Sequence, residues 1–288
     1  MRLISRMYKT HCLKRHMLRE INEAITPREF IRQSKGKIEE VMGVRIKDER
    51  IDRLRIWTRI PGYDLYLYLR AKSNGFESSD ELGRKIGRRT IYIAINRLVR
   101  KRIEKNKLYN FDPSDAKVSE QVDKIIKLVK EIAIHEFVHI VDHDREEEDK
   151  RRRQLGFVDS MKLTARVERG DIDEEMWDKT YQRIAELPFN ELIAIGTTSL
   201  VLGKNVLDDC SDAYLGEYER VKERLRETQR EDHESRFMRN YEFFMEERHL
   251  IATWFLAQVM PILGQETIRE VLRRRPTFEE LVNPELYC

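Results

Sequence analysis

An α+β fold, with a small N-terminal mixed β-sheet and a helix followed by a mostly helical half, is what the residue pattern predicts. Three observations carry this. Apolar residues alternate in two short stretches before residue 100, at 64–70 and 90–96. After Pro113 the apolar spacing becomes helical and stays so. No strand–helix–strand alternation and no Gly-rich phosphate loop interrupts that order, which excludes a nucleotide-binding parallel sheet.

Residues 1–25 form a basic segment with no acid before Glu20. It has neither a continuous apolar run nor a small-residue cleavage site, so no secretory signal is predicted. A short basic amphipathic helix or a loosely ordered tail is expected instead, and Met7 and Met17 are alternative starts. The first firm element begins at Thr26-Pro27-Arg28-Glu29, a capping-box arrangement with Pro at the first helical position. Phe30, Ile31, Ile38, Val41 and Met42 make its apolar face, and Gly43 stops it. Leu54 and Ile56 then alternate with Arg55, Trp57 and their neighbours, and Pro61-Gly62 turns the chain. Leu65, Leu67 and Leu69 share one face of a strand over 64–70; Ser73-Asn74-Gly75 is a further turn, and 79–87 reads as a short helix. Residues 90–96 alternate most cleanly, with Ile91, Ile93 and Ile95 on one face and Tyr92, Ala94 and Asn96 on the other. Asp112-Pro113 opens the helical half. The spacing predicts a long helix from about Val118 to Asp144, a charged face or loop over 144–155, and helices near 172–187, 190–203, 217–231, 234–260 and 265–273. The expected organisation is one domain over 26–263, with a sheet part at about 44–100 and a helical part at about 113–263, then a C-terminal helical extension over 264–288.

Charged residues make up 37% of the 288, yet the net charge is only +3. That density exceeds the roughly 25% of an average globular protein. The balance argues against phosphate neutralisation as the main task and against an acidic tail. The basic runs 97–107 and 150–153 read as solvated faces; no aromatic interleaving or base-reading module favours a nucleic-acid partner. Dense balanced charge is also the composition of ion-pair-rich thermophile proteins. The most apolar stretches, 192–203 and 250–263, are shorter than the ~20 residues of a membrane span, so no membrane partner is expected. Cys12, Cys210 and Cys288 are too scattered for a disulfide scaffold or a Cys-rich zinc site. A cytoplasmic setting follows as the expectation.

Three of the seven histidines fall in 134–143, and His135-Glu136-Phe137-Val138-His139 is an HExxH motif. Residues i and i+4 stand one above the other on a helix, so both imidazoles reach one Zn²⁺ at about 2.0–2.1 Å. Glu136 is rotated off that line but close to it, placed to take a proton from a water whose pKa zinc lowers to about 7. The surrounding Ile132, Ala133, Ile134, Phe137, Val138, Ile140 and Val141 are uncharged. A buried helix holding His, Glu and His is costly unless those groups have partners, and a metal is such a partner. The plainer alternative is a core helix whose histidines are satisfied by hydrogen bonds.

HEFVH with this surround resembles the active-site helix of the zincin metallopeptidases. The order TIYIAIN (90–96), then a long helix ending in HExxH, is similar to the small gluzincins (minigluzincins) and the related repressor-cleaving peptidases. The resemblance covers roughly 44–200, extending to 261 at most. It implies a zinc peptidase in which the edge strand 90–96 holds an extended peptide or protein substrate by backbone pairing. It also implies a third zinc ligand. In residues 190–194 (NELIA), Glu191 followed by Ala194 resembles the gluzincin ligand helix, where the small residue permits close approach to the active-site helix; Gly196 and Thr197 are also small. Glu191 also fits an ordinary acid in a first helical turn. In 246–263 the similarity to the repressor-cleaving peptidases places His249 where their Glu would be, with Glu246 one turn before. His249 is an alternative ligand or the donor that stabilises an oxyanion, and Tyr214, Tyr241 and His233 are weaker donor candidates. His143 lies about 6 Å along the helix from His139, too far to share the ion on a straight helix. Metzincins break the helix with a glycine, which this chain lacks, and place a third histidine where it has Arg145; Asp142 and His143 fit supporting positions or the C-terminal end of the helix.

The expected function is therefore zinc-dependent peptide-bond hydrolysis, with metal ligands His135, His139 and Glu191, general base Glu136 and candidate donor His249. The alternative is a zincin-like regulatory or binding module whose metal is structural or sensory.

Overall fold

The computed structural model describes residues 2–58, 83–85, 89–150, 181, 185–208, 212–228, 243–244 and 247–288. The expected strand 64–70 and most of the expected helix 172–187 lie outside them. The chain divides into two compact units, Met1–Gly36 with Arg45–Ile140, and Lys37–Val44 with Val141–Cys288.

In the first unit, α1 (Arg2–Ala24) makes the basic N-terminal segment a full helix. Leu13, Met17 and Ile21 recur at i, i+4 and i+8 and are buried. This stripe belongs to the helix that packs on α4 (Ile95–Lys105) and on the short turn Leu108–Asn110. Next, α2 (Pro27–Met42) begins at the predicted proline. It ends at Gly43, whose φ of 64° lets Val44 N–H reach Glu39 C=O at 3.2 Å, the closing bond of a Schellman turn. The short α3 (Asp48–Asp52) follows, and Arg28 donates to the Leu54 carbonyl beyond it.

The sheet has three strands, β1 (Arg55–Trp57), β2 (Gly83–Lys85) and β3 (Thr90–Ile93), in the order β1-β3-β2. β1 runs parallel to β3, with Ile56 opposite Ile91, and β2 runs antiparallel, with Arg84 opposite Tyr92. Three expectations change here. β2 is a strand within the stretch read as a helix; Gly-Arg-Lys has no apolar stripe to pack as a helix, and its amides pair with β3 instead. The third strand stops at Ile93, because Ile95, Leu98, Val99 and Ile103 bury a helical stripe and α4 starts at Ile95. And β3 is central, not an edge: both of its hydrogen-bonding sides are taken by β1 and β2, so an extended substrate has no free backbone to pair with there. Its side chains are covered on both faces, with Ile91, Tyr92 and Ile93 at 0–2% exposure rather than alternating.

The long helix α5 (Ala116–Lys150) starts one turn after the predicted cap. Asp115 fills that role: its Oδ1 accepts from Lys117 N–H at 2.8 Å, while Asp112 only closes the preceding turn. The helix also continues through the charged residues to Lys150. Up to Ile140 it gives the first unit Val118, Ile125, Val129, Ala133, Phe137 and Val138, all fully buried.

The second unit is helical in its described residues. Its centre is α6 (Phe189–Leu202), buried along nearly its whole length and packed on α8 (Arg248–Leu263). Gly203, at φ 66°, closes α6 with bonds from Gly203 N–H to Leu200 C=O and from Lys204 N–H to Ser199 C=O. α7 (Asp212–Thr228) lies on α8, and α9 (Thr267–Arg273) lies on α6. Residues 264–288 belong to this core. Phe278 of α10 (Phe278–Val282) stacks near Phe244 and Tyr181, and the Tyr287 ring meets Phe255 at 5.1 Å.

Candidate metal centre

His135 and His139 face each other one turn apart on α5, because the apolar residues around them turn the helix's other sides into the core. Their Nε2 atoms are 3.1 Å apart and their rings meet edge to face, with centroids 4.7 Å apart. Two nitrogens bound to one tetrahedral zinc at about 2.0–2.1 Å stand roughly 3.3 Å apart, so the pair is already close to ligand spacing. Both rings are half-buried. Arg50 donates to the Ile140 carbonyl at 2.8 Å, tying the backbone next to His139 to α3.

Glu191 is the third residue in the first turn of α6, where unsatisfied helical N–H groups favour a carboxylate. One ligand atom each from His135, His139 and Glu191 lies within 4.8 Å of the others. Two imidazole nitrogens and one carboxylate oxygen form the donor set of a hydrolytic zinc site, which leaves a fourth position open. The residues therefore fit a divalent ion with nitrogen and oxygen preference; the donor set alone does not choose zinc over its first-row neighbours. Glu136, next to His135 and about 100° around the helix, is 8% exposed, a buried carboxylate beside the pair. Asp142, on the same helix, is also buried.

Of the rival third ligands, Glu246 lies outside the described residues. His249 is described and exposed, in the first turn of α8, and is not among the three converging residues. It is held by a small polar chain. Tyr214 Oη is 3.3 Å from His249 Nδ1 and 2.8 Å from Thr253 Oγ1, and Thr253 donates back to the His249 carbonyl at 2.9 Å. Tyr214 is thus joined to His249 rather than being a separate donor. His233, Tyr241 and the side chain of His143 lie outside the described residues.

One neighbour was not read from the sequence. Arg248 Nε lies 3.6 Å from Glu191 Oε1. That is ion-pair range, longer than a hydrogen bond. A 57-residue separation gives no local signal of this pair; the only hint was a cation beside His249 in a segment already singled out.

Among the described residues no helix is long and apolar enough to cross a membrane. In comparisons with family models, curated proteins and solved structures, nothing matches this chain.

Proposed function

We propose that this protein is a zinc-dependent peptidase. The observation that carries the reading is the convergence of His135, His139 and Glu191, with the buried Glu136 beside the first histidine. Zinc, when bound by those three residues, supplies a Lewis acid and a water acidic enough to ionise near neutral pH. The chain's own groups do the rest. Glu136 receives the proton from the attacking water and passes it to the leaving amine, the two halves of general acid–base catalysis. Burial keeps competing water away from this carboxylate. His249, fixed by Tyr214, is the candidate donor to the carbonyl oxygen as it gains charge. The exposed turn that carries it leaves room for a peptide or protein substrate. The proposed setting is the cytoplasm, in keeping with free thiols at Cys12 and Cys288.

The test is metal analysis of protein purified without chelators, together with hydrolysis of a quenched fluorescent peptide library. Wild type should hold about one zinc per chain and cleave. Glu136→Gln should keep the zinc and lose cleavage by the 10²–10⁴-fold typical of a general base. A zinc-loaded wild type that cleaves neither the library nor denatured proteins would favour the regulatory-module reading. Protein that takes up no divalent metal would overturn both.

A further inference from the structure

The near-zero net charge of the chain hides a local excess. α1 and α4 together hold eleven Lys or Arg against three Glu, a net charge of +8, whereas the whole chain is +3. The two helices are 70 residues apart in sequence and pack on each other in the first unit. Their apolar stripes Leu13, Met17, Ile21 and Ile95, Leu98, Val99, Ile103 are used inward. Lys9, Arg15, Arg100 and Lys105 are exposed and enter no ion pair among the described residues. Elsewhere the charge density is spent on pairs such as Lys124–Glu120 and Arg220–Glu217. Within α1, Arg19 pairs with Glu20 and Glu23, but leaving these four like charges exposed costs stability through repulsion, a cost that an anionic partner removes.

We infer that the α1–α4 surface binds the phosphodiester backbone of a nucleic acid. Seven of the eleven cations are arginine, whose planar fork matches a phosphate in two parallel hydrogen bonds. An anionic membrane fits less well. Its binding helices insert an apolar face, whereas Leu13, Met17 and Ile21 are buried in the protein and, among the described residues, Tyr8 is the one large exposed apolar side chain on these helices. Among the described residues no base-reading element accompanies the patch, so the binding inferred is through the backbone and independent of sequence. This surface does not depend on the metal reading.

The experiment titrates full-length protein into fluorescein-labelled 20-mers, duplex DNA and single-stranded RNA, from 50 to 200 mM NaCl. Vesicles containing phosphatidylserine form a separate arm. About four phosphate contacts give a slope of log K on log salt near −4 for the duplex and a loss of roughly 10²-fold or more over this range. Arg15→Gln/Arg100→Gln/Lys105→Gln removes three exposed, unbridged charges, gives a melting temperature no lower than that of the wild type and reduces the slope by about 3. The charge reversal R15E/R100E/K105E abolishes binding, while K222Q/R224Q/R226Q on α7 leaves it unchanged. No nucleic-acid binding at 50 mM salt, an unchanged slope in the triple variant, or binding to vesicles alone would overturn the inference.

Discussion

Gly196→Ala compared with Gly216→Ala separates close packing from helix propensity. Both glycines lie in helices of the second unit, so the same cooperative structure reports on each. In an open helical position Ala is better than Gly by about 0.8–1 kcal/mol. Gly216 is such a position: a Cβ there meets nothing within 4 Å. Its replacement should stabilise by about 0.5–1 kcal/mol. A Cβ at Gly196 would lie 2.3 Å from Ile268 Cδ1, 3.2 Å from Leu256 Cδ2 and 3.3 Å from Ile268 Cγ1. Ordinary carbon–carbon contact is about 3.5–4.0 Å, so the overlap with the Ile268 tip exceeds an ångström. That tip can rotate, but Ile268 and Leu256 are fully buried and have little space to move into. Overpacking of this kind costs about 1–3 kcal/mol, and the propensity gain offsets part of it. The expected result is net destabilisation of about 1 kcal/mol, and a gap of about 2 kcal/mol between the two variants. Urea denaturation measures it, with the midpoint and the m-value reported separately. Because Glu191 lies five residues before Gly196 on α6, zinc retention should weaken along with stability. If Gly196→Ala proves as stable as Gly216→Ala, the close approach of α8 and α9 to α6 is wrong.

Three further outcomes are expected. Glu191→Ala should weaken zinc binding, read by chelator competition, by more than the 10–100-fold that supporting residues of metal sites contribute, with little change in the circular dichroism spectrum. Thr277→Ala should cost about 1 kcal/mol in urea midpoint, because Thr277 and Glu280 form a reciprocal capping box on α10. Burial holds the Tyr287 phenol well above its ordinary range, and its hydroxyl donates to the Arg274 carbonyl at 2.6 Å. The proton is then kept by the folded state and lost by the unfolded chain above about pH 10, so stability falls by about 1.4 kcal/mol per pH unit there. Tyr287→Phe should be less stable by about 1 kcal/mol at pH 8, and the difference should close near pH 11 in pH-resolved denaturation.

What was legible in the sequence follows the range of the forces involved. His135 and His139 are one helical turn apart, so spacing alone places their rings together. Gly43 and Gly203 each follow an apolar run, and both close their helices at positive φ. The start of α5 shows the limit of local reading: Asp112 and Asp115 are equally good caps by type, and only the bond from Lys117 N–H to Asp115 selects the second. β3 failed differently. Its alternation is real to Ile93, but Ile95 also begins the stripe Ile95, Leu98, Val99 and Ile103, and tertiary burial of that stripe overrides the period-2 pattern. Its central place in the sheet depends on pairing with β1, 35 residues away, and with β2, whose Gly-Arg-Lys has no β-branched or aromatic residue to signal a strand.

Charge is the property that local reading handles worst. A net charge is a sum over the chain and carries no position, so +3 argues against a polyanion partner only on average. Screening confines electrostatic recognition to about 8–10 Å, the Debye length near physiological salt. What a phosphate meets is therefore the charge within that radius, not the total. Separately, the cations of 1–25 and of 97–107 each resemble an ordinary solvated face. The packing of α1 on α4 brings the two basic helices together, and most of the chain's acids lie outside them. The same reasoning explains why Arg248 beside Glu191 was missed: a single ion pair across 57 residues leaves no periodic trace, yet it acts at 3.6 Å on the residue that completes the candidate centre. The repulsion stored in the α1–α4 surface makes a directional statement as well. Adding salt should stabilise the first unit against denaturation while weakening any bound nucleic acid, two opposite responses to one variable. A charge-balanced surface would show neither.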